Sequence, residues 1–210
     1  MSDWHHGVKV PSMSIDDLRG YAREIRRKTI RLGALDRFPA LVFAEIIMPS
    51  MRENYDFEVV DSLPDGNEAR AFPDGAPPLS EGPLIQVLSS VYDKAAAGQG
   101  RARMTVLHEC GHVLLHANLT PQHGRGGRDL KAFENSEWQA NQFAGELLMP
   151  VESMYTPGSL DDYVVRMGVS RQAACNRAIQ LMRTIGLERP DWPLQFATST
   201  FNGGAPMQKT

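Results

Sequence analysis

The stretch Thr105-Val106-Leu107-His108-Glu109-Cys110-Gly111-His112-Val113-Leu114-Leu115-His116 decides how the rest of the chain is read. It contains His-Glu-x-x-His. Two histidines four residues apart share one face of a helix, separated by about one 5.4 Å turn, so both imidazoles can reach one metal ion. The glutamate beside the first histidine can act as general base toward a water held by that ion. On a wheel of about 100° per residue, His108 and His112 lie about 40° apart, whereas Val106, Leu107, Cys110, Val113, Leu114 and Ala117 fall between about 140° and 260°. The pattern predicts a helix with one side in a core and both imidazoles on the other.

An open zinc site needs a third protein ligand. The candidate is Glu137, in the stretch Asn135-Ser136-Glu137-Trp138-Gln139-Ala140-Asn141-Gln142-Phe143-Ala144-Gly145-Glu146-Leu147-Leu148-Met149-Pro150. Ala140, Ala144, Leu147 and Leu148 lie within about 80° of Glu137 on a second helix, so its carboxylate faces inward, where an unpaired charge is costly. Gln139, Gln142 and Glu146 fall on the opposite face and are expected in solvent. Glu134, one turn earlier, is the runner-up ligand. His116 sits about 12 Å of helical rise beyond His108, too far for both to share an ion, and is expected to support the site or the structure instead.

These two stretches together resemble the ImmA/IrrE family of zinc metallopeptidases: His108 to His116, then Glu137-x-x-Ala140-Asn141-x-Phe143-Ala144-x-x-Leu147-Leu148-Met149-Pro150. The likeness is strongest over about residues 84–150. Cys110 departs from it, standing where the family more usually has an aliphatic residue. The resemblance implies zinc, one ion per chain, on His108, His112 and Glu137, with Glu109 as the catalytic glutamate. It also implies a protein partner, a transcription repressor often of helix-turn-helix type, cleaved or inactivated to switch on stress or mobile-element genes.

Composition sets the bounds around this centre. The 210 residues are 42% hydrophobic and 22% charged, with a net charge of −3. That fits a water-soluble chain with a real core and gives no global field favouring nucleic acid or anionic membrane. Two cysteines do not make a disulfide framework. No apolar run reaches the roughly 18 residues of a membrane span, and the N-terminal residues show no signal-peptide pattern, so a cytoplasmic protein is expected.

The expected fold class is α+β: a zincin-like metallopeptidase domain with a small antiparallel sheet and the His-Glu-x-x-His helix, followed by a small helix-turn-helix-like unit. Residues 1–13 are expected to be disordered, 14–150 to form the zincin-like domain, 151–190 a helical unit packed on it, and 191–210 a tail. Ser14 and Asp17 resemble a capping box opening a helix that Gly33 ends. Its residues Arg19, Arg23, Arg26, Arg27, Lys28 and Arg31 read as a solvated basic face rather than a docking surface. A second, well-buried helix should start at Pro39 and stop at Pro49. Strands are expected at 57–60, 68–72 and 84–88, and a short helix at 89–97. Leu84–Leu88 is the candidate edge strand for adding an extended peptide, or else an inner strand that only builds the core.

Ser159 and Ser170 can cap helices over about 160–167 and 171–185 around a Gly168 turn. Arg171, Gln172, Asn176 and Arg177 could then face DNA, but a net charge of about +2 over this unit is thin for duplex binding, and packing or partner recognition is preferred. Cys175 reads as a core residue. Tyr92, His123 (in the Gly- and Arg-rich stretch 122–128) and Tyr155 are candidates for contacts to substrate or to the developing oxyanion. Three functions compete: a zinc endopeptidase, a catalytically silent zinc-fold regulator that binds protein or DNA, and a zinc hydrolase of a non-peptide bond. The retained Glu109 favours the first, because a purely structural site has no chemical need of that carboxylate.

Overall fold

Ser14 starts the first helix as its sequence context predicts. Its Oγ accepts from the Asp17 backbone N–H at 3.1 Å, and the Asp17 carboxylate accepts from the Ser14 hydroxyl at 2.6 Å and backbone N–H at 3.1 Å. In the computed structural model, which describes residues 7–30, 37–74, 81–117, 131–155 and 159–186, this helix is α1 (Ile15–Ile30). Leu18, Ala22 and Ile25 bury its apolar stripe. The expected basic face is largely neutralised. Arg26 is buried and donates to the Leu147 carbonyl at 2.5 Å, Arg19 pairs with Asp16 and Glu146, Arg23 with Glu152, and Arg27 and Lys28 with Glu24. The expected stop at Gly33 lies outside the described residues, as do Arg31, His123 and the tail 191–210.

Residues 7–13 correct the expectation of a disordered N-terminus. Lys9 bridges Asn135 in antiparallel fashion, Val8 N–H donates to Ser136 Oγ at 3.0 Å, and Val10 N–H donates to the Glu134 carbonyl at 2.9 Å. The buried Val10 side chain anchors the segment. Its partner is more than a hundred residues away in sequence, which is why local patterns do not reveal it.

Pro49 does not end the second helix. The chain passes from α2 (Ala40–Val42) through a π-helical turn (Phe43–Ile47) into α3 (Met48–Met51). In a regular helix the Pro49 ring would press on the Glu45 carbonyl; the wider turn, in which Met48 N–H bonds to Phe43 O, lets the proline sit in the first turn of α3 instead. Burial is also less complete than expected, since Val42 and Ile46 remain exposed.

The sheet is mixed rather than antiparallel. Strands β1 (Asp56–Val60), β2 (Ala69–Phe72) and β3 (Leu84–Leu88) run in the order β1-β3-β2, with β1 parallel and β2 antiparallel to β3. β3 therefore takes the centre, so it is the inner strand and not an edge. Its nearly unbroken apolar sequence is buried on both faces, whereas β1 has only exposed and half-buried side chains. Gln86, the polar member of β3, is satisfied from both sides: it donates to Glu58 at 2.6 Å and accepts from Arg70 at 2.8 Å, its partners in register.

Helix α4 (Ser89–Ala96) leads into α5 (Gly100–His116), which packs on β2, β3, α4 and α6 (Ser136–Leu148). The C-terminal pair α7 (Leu160–Met167) and α8 (Arg171–Ile185) is capped by Ser159 and Ser170 as expected, with Gly168 in the left-handed conformation between them. One apolar cluster runs through α1, α5, α6, α7 and α8. Buried Arg103 of α5 ties this pair down by donating to the Met167, Gly168 and Phe38 carbonyls. No helix among the described residues is long and apolar enough to cross a membrane.

Candidate metal centre

Helices α5 and α6 touch closely at Gly111. A Cβ added there would meet Ala140 Cα and the Phe143 ring at 3.2 Å, so glycine permits this approach and with it the delivery of Glu137, one turn before Ala140, to the histidine pair. Asn135 caps α6 by accepting from the Glu137 and Trp138 backbone N–H groups at 2.8 and 3.2 Å, fixing the first turn that carries the carboxylate.

The three sequence-predicted ligands converge. His108 Nε2 and His112 Nε2 are 3.0 Å apart, Glu137 Oε2 is 3.2 Å from His108 Nε2, and Glu137 Oε1 is 3.1 Å from His112 Nε2. Among the described residues this is the group of His, Cys, Asp and Glu donors placed to hold a metal ion. Ligand atoms about 2.0–2.1 Å from a tetrahedral zinc stand about 3.3 Å from one another, so the triangle suits that ion. Glu134, the runner-up, ends a short turn (Ala132–Glu134) and is not in this group.

Electrostatics around the trio are strongly coupled. Burial pushes the Glu137 carboxyl up, but the hydrogen bonds and positive charge of His108 and His112 outweigh it and hold the group well below the usual range. For His108 burial acts downward, while Glu137 and Glu109 outweigh it and raise the imidazole. Glu109 itself is buried beside this pair on α5. His116 is fully buried, and burial followed by the neighbouring His112 lowers it to about 3, so it is neutral at physiological pH. It stands outside the converging trio: its Nδ1 lies 3.0 Å from His112 Nδ1 and its Nε2 lies 3.1 Å from Gln139 Oε1.

Several placements depart from expectation. Gln139 and Glu146, read as solvent-facing, are buried. Glu146 pairs with Arg177 of α8 at 2.7 Å and with Arg19 of α1 at 3.3 Å, because α1 and α8 cover the face of α6 that the helical wheel leaves open. Arg177 is for the same reason buried and unable to face DNA. Asn141, exposed beside His108, is a candidate functional residue that the wheel did not single out: its Oδ1 lies 3.2 Å from His108 Nδ1. Its position four residues after Glu137, on the same face, was the available signal. Tyr92 donates to Glu45 at 3.1 Å, and Tyr155 is exposed. Cys110 and Cys175 are buried free thiols.

Residues 92–178 match the family model for peptidase M78, the IrrE N-terminal-like domain. That stretch, about two-fifths of the chain, is similar to an IrrE N-terminal-like domain. The match begins in α4 and ends within α8, so the α5–α6 centre of this IrrE-like domain lies wholly inside it. No curated protein matches the chain. Among solved structures, a Mycobacterium tuberculosis transcriptional regulator is similar at 19% identity, with a TM-score of 0.51 over 83% of this chain and 49% of that one. At that identity the likeness concerns the fold, and the chain spans about half the length of that regulator.

Proposed function

We propose that the protein is a zinc-dependent endopeptidase. The convergence of His108, His112 and Glu137 on one space, with Glu109 buried beside it on the same helix, is the observation that carries this reading. Zinc held by those three residues would supply Lewis acidity and acidify a water. Asn141 orients the His108 ring through its Nδ1. Glu109 takes a proton from the attacking water and returns it to the departing amine.

A largely apolar cavity of about 380 Å³ opens against His108, walled by Met104, Leu148 and Met149 and, from the C-terminal helices, Val169 and Ala173. It fits an apolar side chain of the peptide next to the scissile bond. With β3 at the centre of the sheet, the strand available to pair with an extended substrate near the metal is β2, the edge strand packed on α5. The family resemblance points to a helix-turn-helix repressor as the protein cleaved, in a cytoplasmic setting. The α7–α8 pair then serves the substrate cavity rather than DNA, in keeping with the burial of Arg177.

Glu109→Gln tests the reading. A peptide library cleaved by the wild-type zinc protein should be left intact by the variant, with turnover down by about 10²–10⁴-fold and zinc still bound. Equal cleavage by both would remove Glu109 from the chemistry. Wild-type protein that binds zinc and a repressor without cleaving any peptide would favour the alternative, a silent regulator.

A further inference from the structure

Behind His112 a chain of polar groups leads away from the metal to the N-terminal segment. The Gln139 amide nitrogen lies 2.8 Å from the Pro11 carbonyl and 2.9 Å from the Phe133 carbonyl. Carbonyl oxygens only accept, so the atom facing them must be the –NH2 and the amide cannot be flipped. Gln139 Oε1 is thereby turned toward His116 Nε2, 3.1 Å away, and needs a hydrogen from it. In its neutral form His116 then holds its one hydrogen on Nε2. With that hydrogen on Nε2, its Nδ1 is a bare acceptor. The atom 3.0 Å from it is His112 Nδ1, which must then be the donor. A neutral His112 with its hydrogen on Nδ1 has its lone pair on Nε2, the atom shared with His108 and Glu137.

We infer that Gln139 and His116 are positioning residues for the metal centre, fixing the His112 tautomer and ring orientation by a one-way hydrogen-bond chain anchored on the Pro11 and Phe133 carbonyls. A metal-bound histidine usually donates its second N–H to a carboxylate or carbonyl. Here the acceptor is another imidazole, which has the required polarity only while Gln139 dictates it. The segment around Pro11 is thus part of the support of a site that begins nearly a hundred residues further along the chain.

This rests on the proposed metal site, but its first test does not. Long-range 15N–1H spectra of the metal-free, full-length protein at neutral pH report each ring's tautomer. His116 is expected as the Nε2–H form and His112 as the Nδ1–H form; His116 found as Nδ1–H, or doubly protonated, overturns the inference whether or not zinc binds. The second test is zinc affinity by chelator competition. His116→Phe, which keeps the ring volume without an acceptor, and Gln139→Met should each weaken zinc about 10–100-fold. His116→Asn, whose Oδ1 stands where Nδ1 was, should recover most of that loss. Affinity within about twofold of wild type in folded His116→Phe, or equal loss in His116→Phe and His116→Asn, rejects the positioning role. Absence of zinc binding by the wild type rejects the endopeptidase reading instead, while the tautomers remain measurable.

Discussion

Helix α6 carries two carboxylates nine residues apart, Glu137 and Glu146, and their surroundings are opposite in kind. Glu146, only 1% exposed, is met by the guanidinium groups of Arg19 and Arg177, which are permanent cations. Its charge is compensated by the protein itself. Glu137 is 31% exposed and meets two imidazoles whose other nitrogens are engaged by Asn141 and His116. Imidazoles are not permanent cations: they compensate Glu137 only while they carry protons, and a metal ion on the same nitrogens would supply that charge instead. Burial alone therefore does not distinguish a ligand from a structural ion pair; the protonation chemistry of the partners does.

The contrast can be broken from either end. Glu146→Ala leaves the buried Arg177 without its counter-charge and Arg19 with Asp16 alone, and should cost about 3–5 kcal/mol in urea unfolding while the folded fraction still binds zinc. Retained stability would mean that the Arg19–Glu146–Arg177 cluster is not what joins α1 and α8 to α6. Glu137→Ala should act mainly on the metal: zinc affinity falls on the order of 100-fold, beyond or at the top of the range for an outer partner, while the partly exposed Glu137 costs the metal-free fold less than Glu146 does. One zinc per wild-type chain, undiminished in that variant, would move the third ligand elsewhere. Gly111→Ala sharpens the comparison by pushing α6 away from α5 by a few tenths of an ångström. It should lower stability by about 1–3 kcal/mol and zinc affinity by less than Glu137→Ala does, with no effect routed through Glu146. Stability and affinity both unchanged would show that the helix contact is soft.

What could be read in advance was whatever depends on neighbours in sequence. The caps at Ser14, Ser159 and Ser170, the helix through His108 and His112, and the inward side of α6 all follow from spacing within one or two turns. The misreadings have a common cause in long-range packing. A wheel has one buried face only if one side is covered, yet α6 is covered on several sides, and so Gln139 and Glu146 are buried as well. Strand order was beyond reach for the same reason: β3 inserts between strands that precede it, and a hairpin reading of β1 and β2 has no local signal against it. Pro49 is a subtler case. Its ring does forbid a regular helix, as expected, but the chain answers with a π turn instead of a stop.

The pairing of Val8 with Ser136, 128 positions apart, also bears on how the molecule is made. Closing so long a loop is entropically expensive and yields its contacts late, whereas α5 can form and begin to collapse from short-range interactions. On a ribosome the strap at 8–13 is complete long before its landing site exists. It must wait, and in refolding it should be among the last segments to gain hydrogen-exchange protection, after the core of α5 and α6.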